Sequence, residues 1–328
     1  MNVKKRIPIW DDGEYQYQGA GAFVPNLTMY LHTDEEARPA MIVCPGGGYF
    51  LVSPTEGELV AKKFFGKGYN CFVLTYTTNP LADYPLLDQP VKDLSRAIRY
   101  VRAHAKDFRI ITDQVYICGF SAAGHLCGTI CDYHQEIMDE NPKYREVSNR
   151  PDAAILSYPV ITSGEMAHQD SFRFLIDRKV YDREDAEAAA MLDRYSLEKH
   201  VTADNPPTFL WHTATDGLVP VENSYLYAMA LKEKGVHHAL HIFSDGHHGL
   251  SVADEEWACG KSFGELYTFD QFLFVKEAME DGSLPVTPER KAQFTAAIQG
   301  FFKEGDPDHP IPEVTIWPDL ADAFIKAL

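Results

Sequence analysis

The sequence predicts an α/β fold, a mostly parallel central sheet with helices on both faces. Three observations predict it. Apolar runs of strand length recur between about residues 27 and 248, stretches with helical spacing separate them, and Gly, Ser, Asp or His clusters follow the C-terminal ends of several runs. Runs that are apolar throughout fit strands buried on both faces, as parallel strands are. Ligands of such sheets bind beyond the carboxyl ends of the strands.

The first run, Leu27 to His32, alternates apolar and polar positions like a half-buried strand, and Ala40 to Cys44 is a continuous apolar run. Gly46, Gly47 and Gly48 follow it. A helix-like stretch from Gly57 to Phe65 stops near Gly66 and Gly68, and Cys71 to Tyr76 reads as the next strand. Apolar residues at 91, 94, 98, 101 and 105 share one helical face, with Pro90 placed to open that helix. It leads into Val115 to Phe120, where a strand meets Ser121 between small residues and then turns helical, with Leu126 and Ile130 on one face. Ala153 to Tyr158, Pro207 to Thr213 and Ala239 to Phe243 read as further strands, and Pro220 opens a helix running towards Gly235. Residues 163 to 205 form a polar, alanine-containing insertion with a helix expected at 183 to 195, in the place where such folds carry a cap. The tail from 254 to 312 is rich in charge, aromatics and Pro-Gly turns and is expected to be irregular. A last helix opens at Trp317-Pro318 with Leu320, Phe324 and Leu328 on one face. A single domain over 1 to 328 is expected, with 163 to 205 and 254 to 312 as insertions.

Composition narrows the partners. The chain has 328 residues, 45% of them hydrophobic, and its 30 Lys and Arg against 48 Asp and Glu give a formal charge of -18. Such a field repels polyphosphates and anionic lipid surfaces, which argues against nucleic-acid and membrane partners. The basic start is followed by Asp11, Asp12 and Glu14 instead of the apolar core of a signal peptide, and six cysteines without a C-x-x-C pair suit free thiols, so a cytoplasmic protein is expected. Self-association into a homo-oligomer is left open.

The chemistry centres on Gly119-Phe-Ser-Ala-Ala-Gly124, which matches G-x-S-x-G except that Ala123 holds the fifth position. A strand-to-helix turn of this kind strains the backbone at its centre and presents Ser121 as an exposed nucleophile. A serine hydroxyl needs a base to take its proton and a carboxylate to orient that base. His248, before Gly249-Leu250, and Asp216, after the Pro207 to Thr213 strand, are the candidates; Asp204, Glu222 and Asp245 are fallback carboxylates, and His247 is a candidate loop or substrate contact. His125, one turn beyond Ser121, suits a packing or supporting role. Attack on an ester carbonyl builds negative charge on its oxygen, and Gly47, Gly48 and Ala122 are placed to donate backbone N–H groups to it. Tyr49 and Phe50 are candidates to wall the acyl pocket, ordinary core aromatics being the alternative. The glycine loop lacks G-x-G-x-x-G and a P-loop lysine, and His237, His238 and His241 lack H-E-x-x-H or Cys partners, so neither a nucleotide nor a metal site is expected.

Taken together, Cys44-Pro-Gly-Gly-Gly-Tyr49, Gly119 to Leu126, Trp211 to Ser224 and His248-Gly-Leu250 resemble the acetyl esterase and acetylxylan-esterase-like branch of the α/β-hydrolases, related to the hormone-sensitive-lipase-type esterases. The order Ser121, Asp216, His248 is also that of α/β-hydrolases. The resemblance runs from about Leu27 to His248 and resumes at Trp317. It implies an α/β-hydrolase fold and hydrolysis of short acyl esters, often acetyl groups on xylo- or other oligosaccharides, without a cofactor. Three departures stand out: Ala123, Pro45 where related lipases carry histidine, and the 254 to 312 insertion. The expected function is therefore a serine esterase working through an acyl-enzyme on a small-molecule or oligosaccharide ester. A peptidase or amidase on the same scaffold and a non-catalytic binding protein are the alternatives.

Overall fold

The computed structural model describes residues 2–176, 178–183, 185–260, 267–301 and 308–328. Its strands are β1 (Asn2–Pro8), β2 (Asn26–Leu31), β3 (Arg38–Cys44), β4 (Asn70–Thr75), β5 (Ile110–Phe120), β6 (Ala153–Ser157), β7 (Thr208–Thr213) and β8 (His238–Phe243). They form one sheet in the order β1-β2-β4-β3-β5-β6-β7-β8. Pairing is antiparallel for β1 with β2 and β2 with β4, and parallel from β4 through β3 to β8. The α/β-hydrolase fold expected from the sequence is the one observed.

Alternation along the strands makes two cores. On β3, Ala40, Ile42 and Cys44 join one buried cluster while Met41 and Val43 join the other; on β5, Val115 and Ile117 face the first and Tyr116, Cys118 and Phe120 the second. Helices cover both faces because each brings one apolar stripe. The Gln89–Ala103 helix packs Val91, Leu94, Ile98 and Val101 into the first cluster; the Glu58–Gly66 and Trp317–Lys326 helices bring Leu59, Phe64, Trp317, Ala321 and Ile325 to the second. The six cysteines are free, five of them buried.

Several elements differ from the sequence reading. β1 was not anticipated. The stretch from 254 to 312 contains two long helices, Asp270–Asp281 and Pro288–Phe301, where irregular chain was expected. They are regular because Phe272, Val275, Ala278 and Met279 make an apolar stripe that packs with Leu51, Leu81 and Phe294 in a third cluster. Residues 261–266 and 302–307 of that insertion lie outside the described residues. Within 163 to 205 the expected helix is Ala186–Arg194, started by the Asp185 carboxylate accepting from Glu187 and Ala188 N–H, and the Gln169–Ile176 helix precedes it.

Candidate active site

β5 ends at Phe120, and Ser121 carries the turn into the Ala122–Tyr133 helix with φ 53° and ψ -120°. A non-glycine residue at positive φ is strained and survives only where its surroundings hold it. Here Ser121 N–H donates to Ser157 O at 3.0 Å and Ser121 O accepts from Val160 N–H at 3.0 Å. The turn is too tight for a side chain at Gly119, where a Cβ would strike the Ala123 carbonyl and lie 2.6 Å from Cys127 Sγ. Ala123 itself is buried. The expected exposure of Ser121 is corrected: it is only 6% exposed, because His248 and the Gly46 backbone stand against it.

β7 and β8 are parallel neighbours, with Thr213 opposite Phe243, so the loops after them emerge side by side. The Thr213 hydroxyl donates to Gly246 O at 2.8 Å, which binds the two loops together. His248 Nε2 then lies 2.7 Å from Ser121 Oγ, and His248 Nδ1 lies 2.6 Å from Asp216 Oδ2. The Asp216 side chain has no exposure. Its other oxygen accepts from Leu218 N–H at 2.9 Å and Val219 N–H at 3.0 Å, and His212 Nε2 lies 3.2 Å from Oδ2. Burial pushes the Asp216 carboxyl up, but the hydrogen bonds from His212, His248 and Val219 outweigh it and hold the group below the ordinary carboxylate range. The arrangement joins a hydroxyl, an imidazole and an ionised carboxylate in one line, which is what proton removal from a serine requires.

Gly46 to Gly48 pass directly beside the turn, since a Cβ on Gly46 would lie 3.0 Å from Ser121 Cβ. Gly47 and Gly48 have φ of 119° and 64°, conformations that glycine adopts without strain. Gly46 N–H is taken by Glu56 Oε2 at 2.7 Å, so it is not a donor for a ligand. The sequence-predicted donors Gly47, Gly48 and Ala122 sit on the two segments that flank Ser121, Ala122 being the first residue of its helix, where N–H groups lack intrahelical partners. Of the two predicted pocket aromatics, Tyr49 is buried with its hydroxyl 2.9 Å from His125 Nδ1, while Phe50 is partly buried with its ring centroid 5.3 Å from Phe174 and 5.2 Å from Phe272. His125 is buried between Tyr49 and the Tyr195 carbonyl, and burial holds its pKa down to about 4.

The remaining candidates point elsewhere. His247 lies 3.1 Å from Asp308, Asp204 bonds His134 and Gln135, and Asp245 accepts from Thr215. His237 stacks on Phe324 and His241 on Phe209. Four residues near the site escaped the sequence reading: Glu56, Tyr158, His168 and His212. His212 carried a signal, because a histidine beside Phe209, Leu210 and Trp211 in a strand needs buried partners; it has Ser224 Oγ at 2.8 Å and Asp216. His168 is partly buried with Nδ1 2.8 Å from Ser171 Oγ. That oxygen is 4.0 Å from where a Gly48 Cβ would stand, so the 163 to 205 insertion borders the glycine loop. Burial, aided by the charge of His248, lowers the His168 pKa.

Phe50 also opens onto a cavity of about 260 Å³ between the two insertions, lined by Arg173 and Phe174 on one side and Arg290, Gln293 and Phe294 on the other. Both arginines are already paired, Arg173 with Asp170 and Asp182 and Arg290 with Asp83.

Comparison with known proteins shows the family. Residues 27–231 match the BD-FAE family model. The chain is 44% identical over 274 residues to endo-1,4-beta-xylanase B of Butyrivibrio fibrisolvens, covering 84% of this chain and 42% of that protein. It is 32% identical over 251 residues to an acetylxylan esterase of Xylanibacter ruminicola, covering 75% of this chain and 46% of that one. The chain thus spans less than half the length of these two relatives. Among solved structures, an acetyl ester-xyloside bifunctional hydrolase from Caldicellulosiruptor lactoaceticus superposes with a TM-score of 0.68 at 35% identity, over 86% of this chain and 97% of that one. Among the described residues no helix is long and apolar enough to cross a membrane.

Proposed function

The chain belongs to the BD-FAE family of α/β-hydrolases, and from that premise we propose that it is a carboxylic ester hydrolase, a serine esterase removing short acyl groups, acetyl above all, from oligosaccharides such as acetylated xylo-oligosaccharides. The observation that carries this reading is the hydrogen-bonded line from Ser121 Oγ through His248 to Asp216, set on a strained turn. The names of the relatives support the substrate class.

In this reading Ser121 Oγ attacks the ester carbonyl carbon while His248 Nε2 takes the hydroxyl proton, and Asp216 stabilises the imidazolium and holds its Nδ1–H. Backbone N–H groups of Gly47, Gly48 and Ala122 receive the oxyanion, typically worth about 3 kcal/mol for each donor. Collapse of the tetrahedral intermediate breaks the bond to the alcohol, which leaves with the proton from His248. Water then attacks the acyl-enzyme by the same route in reverse and frees the acid and Ser121. The 163 to 205 segment acts as a cap on the single catalytic domain. Phe50 and the cavity beyond it hold the sugar: aromatic faces stack on the ring, and guanidinium groups already neutralised by Asp83, Asp170 and Asp182 donate to neutral hydroxyls without demanding an anion.

The test compares acetylated xylo-oligosaccharides with long-chain acyl esters, using the parent and Ser121→Ala. Release of acetate from the oligosaccharides, abolished by the substitution, is expected. Acetate release that survives Ser121→Ala rejects the mechanism, and a preference for long chains rejects the substrate class.

A further inference from the structure

We propose that Glu56 is a positioning residue that locks the glycine loop to the His248 loop and sets a second buried negative charge near the His248 imidazole. Glu56 is 3% exposed and lies in a short 3-10 turn, Pro54–Glu56, just beyond the glycine loop. Its two oxygens are used separately. Oε2 accepts from Gly46 N–H at 2.7 Å, and Oε1 accepts from Tyr158 O–H at 2.6 Å. The Tyr158 oxygen in turn accepts from Ser251 N–H at 3.0 Å, and the Ser251 hydroxyl donates back to Thr55 O at 2.7 Å. A closed circuit results, running from the glycine loop through Glu56 and Tyr158 to the segment three residues after His248 and back to the neighbour of Glu56.

The circuit also fixes the protonation of its members. Because Ser251 N–H occupies a lone pair of the Tyr158 oxygen, the phenolic proton is free to point only at Glu56, and Gly46 N–H is a donor by nature. Both glutamate oxygens therefore meet donors, the pattern of an ionised carboxylate. Burial leaves the Glu56 pKa above the ordinary carboxylate value, although the Tyr158 and Gly46 hydrogen bonds and the charge of His248 pull against it. The Glu56 carboxylate thus lies within the field of the His248 imidazole.

Tyr158 serves both halves of this arrangement. It sits at φ 37° directly after β6, a conformation that needs restraint, and its ring meets the His248 ring edge-on at 4.9 Å. Among the described residues, the groups facing His248 include Asp216 on Nδ1 with His212 behind it, Ser121 on Nε2, the Tyr158 ring, and Glu56 and His168 through their fields. Of these, Asp216 and Glu56 are the anions. Removing Glu56 leaves the direct hydrogen bonds of His248 intact but takes away a nearby counter-charge and frees the Gly46 peptide. The consequence for turnover rests on the esterase reading; the consequence for the imidazole does not.

Glu56→Gln is the test, with two readouts. The His248 titration is followed by NMR of protein labelled at histidine, the signal being assigned by its loss in His248→Gln. Kinetics on p-nitrophenyl acetate are measured beside it. Glu56→Gln is expected to lower the His248 pKa by about half a unit or more and to lower kcat by about tenfold to a hundredfold with KM changed less than about twofold. Tyr158→Phe, which breaks the circuit but keeps the carboxylate, is expected to lower kcat in the same way and to leave a folded protein should Glu56→Gln not fold. An unchanged His248 titration in Glu56→Gln, or parent-like kcat in Tyr158→Phe, overturns the proposal. If the parent protein cleaves no ester, the esterase reading fails, and the NMR titration still decides the role of Glu56.

Discussion

Replacing Asp216 by Asn is expected to remove nearly all turnover while leaving the fold in place, and the reason lies in how four donors converge on one side chain. Oδ2 receives His248 Nδ1 at 2.6 Å and His212 Nε2 at 3.2 Å; Oδ1 receives Leu218 and Val219 N–H at 2.9 and 3.0 Å. An amide has one oxygen and one NH2, so either orientation sets donor against donor. With the NH2 towards the histidines, His248 must carry its proton on Nε2, and that nitrogen can no longer accept from Ser121 Oγ. With the NH2 towards the backbone, the Leu218 and Val219 amides lose their acceptor and the turn holding the residue loosens. The charge that stabilises the imidazolium is gone in both. A wrong-tautomer substitution of this kind costs about 10⁴ in kcat, about 5 kcal/mol of barrier at roughly 1.4 kcal/mol per tenfold. The assay is the initial rate on p-nitrophenyl acetate across pH 6 to 9, with circular dichroism as the check on folding. A folded Asp216→Asn protein that keeps more than about a tenth of parental kcat refutes the orientation argument.

Three further outcomes are expected. Gly119→Ala drives a methyl group into the Ala123 carbonyl and Cys127, and a loss of about 1 to 3 kcal/mol is expected in urea unfolding; a midpoint equal to the parent's contradicts the packing of the turn. Phe294→Ala combined with Arg290→Ala is expected to raise KM for acetylated xylo-oligosaccharides several-fold and to leave p-nitrophenyl acetate turnover unchanged, whereas equal effects on both place the sugar elsewhere. Asp132, on the Ala122–Tyr133 helix, accepts at Oδ1 from both Asn205 and Tyr227, and burial of its carboxyl pushes its pKa up to about 8 from the ordinary 3.8. Between those values the unfolded chain releases the proton that the folded chain retains, so this group's contribution falls as pH rises from about 4 to 8 and is level beyond. Asp132→Asn keeps an acceptor for both partners and should gain stability relative to the parent more at pH 8 than at pH 5; a pH-independent difference in urea midpoints contradicts the raised pKa.

The sheet was legible in the sequence because its strands are buried on both sides. Ala40 to Cys44 is apolar throughout, Ala153 to Tyr158 and Pro207 to Thr213 are mostly so, and every residue of β6 and β7 is buried, as in a doubly covered strand. Ser121, Asp216 and His248 were legible for a related reason: each follows a strand at the same sheet edge, where residues far apart in sequence meet. The helices of the 254 to 312 stretch were less so. Phe272, Val275 and Met279 do keep helical spacing, but among dense charges, and the surface they cover belongs to Leu51 and Leu81 some two hundred residues earlier. The burial of Ser121 likewise depends on His248, 127 residues away. Glu56 was beyond reach, since a lone glutamate before a glycine reads as a turn residue; only the fold brings Tyr158 to it across 102 positions and makes its burial tolerable.

The central claim is that Ser121 carries the acyl group between the two halves of the reaction. Rapid quenching of the enzyme with an excess of p-nitrophenyl acetate, followed by mass spectrometry of the intact chain and its peptides, tests it directly. One acetyl group on the peptide containing Ser121, formed within the first turnover and absent from Ser121→Ala, is the predicted result. Undiminished p-nitrophenol release by Ser121→Ala, or acetyl found on another side chain of a turning-over enzyme, would contradict it.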